Sequence, residues 1–523
     1  MDVSVRLTRQ KINHRHPEPS HLVVRVAGPM PHAMQPMPKD IVLVADTSSS
    51  MSEAADHRPG SPSKCDAARE AMLRFLLQLD DHDRVGLVAF SDSAHVFTPI
   101  GALRTNRAML EQGIRRIGAH SGTNLVGGVS EAIGMLAEET QPGDELRTQR
   151  IILFTDGQPT VGITDHDDVC KAIRERRRET MTDAPIATFG FGPVGDLRGR
   201  SGYDPELLEA IATLSGGASY HAEGADALIH AFAMELGFLR SLTATNVRVR
   251  ITAHDPFHIV VLENVPIIAA GQNGNDVTLA IGNLYDGKPV SVTAALQVPS
   301  VDKVFPRPTA AATVRVTGQR VDGTPFDISS EVRFRYVAPN DAEQRPDPQT
   351  ELDRLQIAAG IAIREAWRYA RQGRFTDAAQ RILAIREELK RIDLPEAKER
   401  VAELERIGSD LGDRQRFAEQ AGHLRDAGQT YMTGYGGGRS DYTSLGMPTT
   451  AQRGAYDDMT MLGNLRQEDF DALRQAGVDA AHIIIDGDQL RVSNTAELRR
   501  RPSVVQRLRD ALGNRGGNRG TGT

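Results

Sequence analysis

The sequence predicts an α/β fold: a doubly wound, mostly parallel sheet, inserted in or flanked by a β-sandwich, then a helical hairpin region and a small C-terminal α/β module. Three observations predict it. Between residues 39 and 240 uninterrupted apolar strands alternate with amphipathic helices, the pattern of a parallel sheet covered on both faces. Residues 243–337 read as strands alone, punctuated by the turn pairs Asn273-Gly274 and Asp286-Gly287. From 351 to 427 apolar residues recur at helical spacing, with Gly373 marking the break between the first two helices.

In chain order, residues 1–38 come first. VSVRL and HLVVRVAG alternate in strand fashion around a polar stretch with His14 and His16, which read as loop histidines because no third ligand is near. These strands have no partners in the α/β unit and are expected to join the sandwich, which makes the α/β unit an insertion. The α/β strands are DIVLVAD, RVGLVAF, a short HVF, RIILFTD, PIATFGFG and one near ASYHA. Helices are expected over residues 64–79, 107–117, 125–139, 167–180, 205–214 and 225–239. The sandwich strands are TNVRVRITA, HIVVLE, NDVTLAI, PVSVTAALQV, AATVRVTG and SSEVRFRYV. In the helical region Ala358, Ala362, Ala366 and Ala379 suggest a tight hairpin. Gly- and Ser-rich residues 434–460 read as a flexible linker, 461–512 as the small α/β module with a turn over Asp486-Gly487-Asp488, and 513–523 as a disordered tail.

Composition removes several functions. The net charge is −7 and aromatic residues are 5% of the 523, with a single tryptophan, Trp367, so neither a basic nor a stacking surface calls for nucleic acid. Of the 62 cationic residues only eight are lysines and 54 are arginines. Cys65 and Cys170 cannot build a disulfide framework or a Cys-rich zinc module, and they are expected to be packed thiols. No apolar run approaches the ~18 residues of a membrane helix, and no secretory h-region opens the chain. A cytoplasmic protein without membrane contact is expected. Phosphate loops, nucleophile elbows and H-E-x-x-H pairs are absent from the sequence, so no enzyme is expected.

The informative stretch is DIVLVADTSSSM, in which an apolar strand ends on Asp46 and Ser48 and Ser50 follow in the next loop. Thr123 in SGTNL precedes a helix, and Asp156 in ILFTDG ends another apolar strand. On a parallel sheet all three loops open on one edge. Two carboxylates and three hydroxyls make a hard, oxygen-only donor set that suits Mg²⁺, with Mn²⁺ and Ca²⁺ as alternatives. So few charges leave the ion electron-poor with one position open, which an acidic side chain of a partner protein could complete.

These residues resemble the von Willebrand factor A (VWA) family. The resemblance covers roughly residues 40–240 and includes RVGLVAFSDSA, SGTNLVGGVSEAI, RIILFTDGQPT, IATFGFG and LLEAIATLSGGASYH. It implies a metal-ion-dependent adhesion site at Asp46, Ser48, Ser50, Thr123 and Asp156. The stretch GPVGDLRGRSGYD is longer than the family pattern. The overall layout is similar to bacterial proteins with an A domain and a β-sandwich, and to plant A-domain ubiquitin ligases, whose RING finger this chain lacks. The leading expectation is a cytosolic, Mg²⁺-dependent scaffold or adaptor that grips an acidic residue of a protein partner. The competing readings are an accessory subunit of a separate AAA+ ATPase, the substrate-recruiting part of a ligase-like assembly, or a metal-assisted hydrolase.

Overall fold

A computed structural model describes residues 1–28, 37–55, 60–139, 147–192, 202–222, 224–261, 267–271, 275–286, 289–305, 307–342, 345–433, 483–486 and 489–492. The chain starts with β1 (Asp2–Leu7), β2 (Lys11–Asn13) and β3 (Ser20–Ala27). It then enters the α/β unit: β4 (Lys39–Asp46), α1 (Lys64–Leu77), β5 (Arg84–Phe90), β6 (Ala94–Ala102), α2 (Leu103–Arg116) and α3 (Leu125–Glu139). The unit continues with β7 (Thr148–Thr155), α4 (His166–Glu179), β8 (Ile186–Phe191), α5 (Pro205–Ser215), β9 (Ser219–Ala222) and α6 (Ala225–Arg240).

The α/β sheet has the order β6-β5-β4-β7-β8-β9, with only β6 antiparallel to its neighbour. Alternation along β4 feeds both faces, as a doubly wound sheet requires. Ile41, Leu43 and Ala45 pack with Phe75 of α1 and Phe232 of α6, while Val42 and Val44 pack with Val129 of α3 and Ile173 of α4. Cys65 and Cys170 are buried unpaired thiols in these two layers. The helices start where their caps dictate: Ser63, Asp165 and Asp204 accept backbone N–H bonds ahead of α1, α4 and α5, and Pro205 opens α5.

The chain leaves through β10 (Leu242–Ala253), β11 (His258–Val261), β12 (Ile267–Ala270), β13 (Asp276–Tyr285), β14 (Val290–Gln297), β15 (Thr309–Arg320) and β16 (Pro325–Val337). These strands form two sheets with the N-terminal ones: β1-β3-β14-β11, and β12-β13-β10-β15-β16-β2. Their inner faces share one core, including Val24, Val292, Val249, Val316 and Phe334. The chain thus threads the α/β unit between β3 and β10. His14 is structural: its ring Nδ1 lies 2.9 Å from the Val301 carbonyl oxygen. A buried polar knot joins the sandwich to the α/β unit. Arg150 of β7 is paired with Glu235 of α6 at 2.8 Å and donates to the Tyr285 hydroxyl of β13 at 3.0 Å, while Tyr220 donates to Glu235 at 2.7 Å.

The helical region differs from the expected hairpin. Four helices, α7 (Pro348–Arg371), α8 (Phe375–Leu389), α9 (Pro395–Leu411) and α10 (Arg414–Thr433), share one core. The hairpin α7–α8 with Gly373 at φ +79° exists, but it leaves Ala366 and Trp367 to be covered. Leu404 and Ile407 of α9 and Leu424 of α10 complete that core, and the Trp367 indole donates to the Ala421 carbonyl at 2.7 Å. The bundle docks on α5 through charge: Glu209 pairs with Arg425 and, at 3.5 Å, with Arg364, and Glu206 pairs with Arg368 at 3.0 Å.

Of the C-terminal module only β17 (Ile483–Asp486) and β18 (Gln489–Val492), an antiparallel pair, are described. The expected linker 434–460, the rest of 461–512, the tail 513–523 and the turn pair Asn273-Gly274 lie outside the described residues. Among the described residues no helix is long and apolar enough to cross a membrane.

Candidate metal centre

The sheet register brings the candidate ligands together. Asp46 ends β4, level with Phe90 of β5, and the preceding Ala45 lies opposite Phe154 of β7, so Asp156 follows on the adjacent strand. A short 3₁₀ turn at Ser49–Ser52 holds Ser50, with Met51 buried beneath it. Asp46, Ser48, Thr123 and Asp156 are all buried.

One chain of hydrogen bonds links four of the five. The Ser48 amide donates to Asp46 Oδ1 at 2.7 Å, the Ser48 and Ser50 hydroxyls are 3.0 Å apart, and Ser50 donates to Asp156 Oδ1 at 2.8 Å. Asp46 Oδ2 also accepts from the Thr155 hydroxyl. Thr123 arrives from the other side. Its amide donates to Thr160 Oγ1 at 2.9 Å and its carbonyl accepts the Thr160 N–H at 3.0 Å, which ties the loop before α3 to the loop after β7. Gly122 makes this turn at φ +72°, where any Cβ would lie 1.9 Å from Asp92 Oδ1.

Gly157 provides the test of fit. A Cβ placed there would stand 3.6 Å from Thr123 Oγ1, 3.9 Å from Ser50 Oγ and 4.0 Å from Asp46 Oδ2. Oxygens from the loop after β4 and the loop before α3 therefore face one small space on the third loop, next to Asp156, kept open by a residue with no side chain. Hydroxyls and carboxylates without nitrogen or sulfur are donors for a small hard cation, so the residues fit a divalent ion of the magnesium type. Among the described residues no cluster of three or more His, Cys, Asp or Glu offers a metal site of another kind.

The electrostatics fit a cation as well. The Asp46 carboxyl is pushed up to about 7, chiefly by burial, and the nearby Asp156 adds to the rise against the hydrogen bonds from Thr155 and Ser48. Two buried carboxylates this close strain each other unless positive charge lies between or beside them.

The structure supplies one such charge that the sequence reading missed. Lys64, the first residue of α1, places Nζ 2.8 Å from Asp156 Oδ2 and 2.8 Å from Glu53 Oε2. Burial alone would lower the Lys64 ammonium, but the two carboxylates outweigh it and its pKa is raised. A signal was present: a lysine at a helix N-terminus opposes the macrodipole and so calls for acidic partners.

Comparison with known proteins adds the family. Residues 41–158 match the family profile "von Willebrand factor type A domain". Over these residues the chain matches a VWA domain. It is 30% identical over 222 residues to a UPF0353 protein of Mycobacterium sp. (strain KMS), a match that covers 40% of this chain and 64% of that one. The Synechocystis sp. protein sll0103 is 23% identical over 280 residues, 53% of this chain and 60% of its own. The chain thus spans less than two thirds of these relatives. Among solved structures, a von Willebrand factor type A protein from Catenulispora acidiphila matches with a TM-score of 0.59 at 15% identity, over 80% of this chain and 96% of that one. The ArnB paralog VWA2 from Sulfolobus acidocaldarius matches with a TM-score of 0.54 at 14% identity, over 86% and 99%. At such identities the likeness is one of fold, and it extends well beyond the VWA domain. VWA domains are interaction modules that often bind a divalent metal at loops of this kind.

Proposed function

We propose that this protein is a cytoplasmic, Mg²⁺-dependent scaffold or adaptor whose VWA domain binds an acidic residue of a partner protein. The observation that carries the reading is the convergence of Asp46, Ser50 and Thr123 on the space at Gly157, with Ser48 and Asp156 joined to them by hydrogen bonds. Bound there, a divalent ion would supply a Lewis-acidic coordination position for a carboxylate. The chain's own residues do the rest: Ser48, Ser50 and Thr123 offer neutral oxygens, Asp46 and Asp156 hold the charge, and Thr155 and Thr160 fix the loops. The sandwich and the helical bundle brace the domain through Arg150 and Glu209. Two buried unpaired cysteines accord with a reducing compartment.

The test compares wild type with Ser48→Ala and Asp156→Ala. Ser48→Ala removes a neutral oxygen, and Asp156→Ala removes a carboxylate. Calorimetric titration with MgCl₂ and MnCl₂ should show binding by wild type that is weakened more than about ten-fold in each variant, as loss of a charge-bearing or directly coordinating oxygen implies. Proteins captured on the immobilised chain, identified by mass spectrometry, should be lost on adding chelator and absent from both variants. An unchanged captured set under chelator and in both variants would refute the metal bridge.

A further inference from the structure

We propose that Lys64 is a resident counter-cation of the metal centre. Its ammonium holds Asp156 in the metal-free protein, loading of a divalent ion exchanges one cation for the other, and Lys64 thereby sets the metal concentration at which the domain becomes competent for a partner. The inference rests on the metal reading above and goes beyond it by naming a regulator of the site.

The contact is built. Asp156 Oδ1 accepts from Ser50, and its other oxygen accepts from Lys64, so one carboxylate is divided between a candidate ligand and an ammonium. The Lys64 side chain is 6% exposed and that of Asp156 0%, so solvent screens the pair little. The backbone holds the lysine to the ligand turn: its amide donates to the Glu53 carbonyl at 2.8 Å, and Ala54 pairs with Ser63. The aliphatic tail runs past Gly192, at φ +93° beyond the end of β8, where a Cβ would stand 3.3 Å from Lys64 Cε.

Helix formation gives no reason for this charge. A cation at the first position of α1 faces the positive end of the helix, an arrangement that costs about 0.3–1 kcal/mol in ordinary cases. Composition points the same way. In a chain of 54 arginines and eight lysines the position beside Asp156 is a lysine. A guanidinium would clamp the carboxylate through a planar fork, whereas an ammonium is a point charge on a flexible stem that can let go. Glu53, with its side chain 55% exposed, already shares that ammonium and gives it a partner on the solvent side once Asp156 is taken. Asp156 and Glu53 together face one ammonium, so a divalent ion can take Asp156 without expelling that positive charge.

The experiment uses the full chain, with wild type, Lys64→Met and Lys64→Gln compared by circular dichroism, thermal melting and calorimetric titration with MgCl₂ and MnCl₂. Both variants remove the charge, and Gln keeps a donor. The expected result is Mg²⁺ binding at least about ten-fold tighter in Lys64→Met, the size of one released charge-assisted hydrogen bond. That variant should also melt lower than wild type in chelator and show a larger metal-induced rise. Lys64→Gln should fall between the two, and it carries the comparison if Lys64→Met does not fold in chelator. Metal binding by the variants alone also supports exchange, since wild type would then be held by its own lysine. Equal or weaker Mg²⁺ affinity in both variants, with wild type binding, overturns the proposal and leaves the metal centre standing. No response to either metal in any of the three proteins refutes the metal centre itself and the exchange with it.

Discussion

Asp46→Asn separates the charge of the candidate metal centre from its shape. The Asp46 side chain is buried and its carboxyl is pushed up to about 7 by burial first, with Asp156 adding to the rise. An unfolded aspartate titrates near ~3.9. Without divalent ions the folded domain keeps, between about pH 4 and pH 7, a proton that the unfolded chain has released. Stability is therefore highest at the acid end of that window, falls as pH rises through it, and carries the full penalty above about pH 7. A shift of about three units corresponds to roughly 4 kcal/mol, and relaxation around a buried charge reduces this to an expected ~2–3 kcal/mol. Asparagine is close to isosteric. Its oxygen can accept the Ser48 amide, which lies 2.7 Å from Asp46 Oδ1, and its amide can donate to Thr155. The assay is thermal melting from pH 5 to 8.5, in chelator and in MgCl₂, following the transition that magnesium shifts. In chelator at pH 8 the variant should melt roughly 4–12 °C above wild type, and the gap should close toward pH 5. In MgCl₂ wild type should gain stability and the variant should not. A gap that does not change with pH, or a variant less stable than wild type at pH 8 in chelator, would refute the electrostatic argument.

Two more outcomes follow from the geometry. Gly157→Ala should fold normally, because its Cβ meets oxygens only at 3.6–4.0 Å, yet the Mg²⁺-dependent rise in melting temperature should vanish because that methyl fills the space between Thr123, Ser50 and Asp46. Glu209→Gln should lower stability by about 3 kcal/mol, since it leaves the buried Arg425 without its carboxylate, while Mg²⁺ affinity by calorimetry stays at the wild-type value.

The α/β unit was legible in the sequence for a local reason. The parallel strands β4, β5 and β7 each carry an unbroken apolar run, and α4 and α5 begin after Asp165 and Asp204, which cap them. Asp46, Ser48 and Ser50 lie within one loop, so their joint role needed no tertiary information. Thr123 and Asp156 could be added because a parallel sheet carries the ends of its strands to one edge. The helical region resisted the same treatment. Pro395 opens α9, and Gly412 with Asp413, which accepts the Gln415 and Arg416 amides, parts it from α10, yet neither signal says that the two helices fold back to complete the core of α7 and α8. The strand β12 escaped notice because all four of its residues are exposed, and it follows no inside–outside alternation.

Lys64 was hidden for a different reason, and that reason bears on how such sites work. Its partner Asp156 lies 92 residues away, and the ammonium reaches it along a path that passes Gly192. A sequence shows ligands by type and spacing, but it does not show the sum of charge at a point. That sum decides whether a set of oxygens takes up a divalent ion strongly, weakly or only in exchange. Here the five residues read from the loops define what kind of ion fits. Under the proposed exchange the sixth, arriving from a helix N-terminus that would favour an anion, governs when the ion enters.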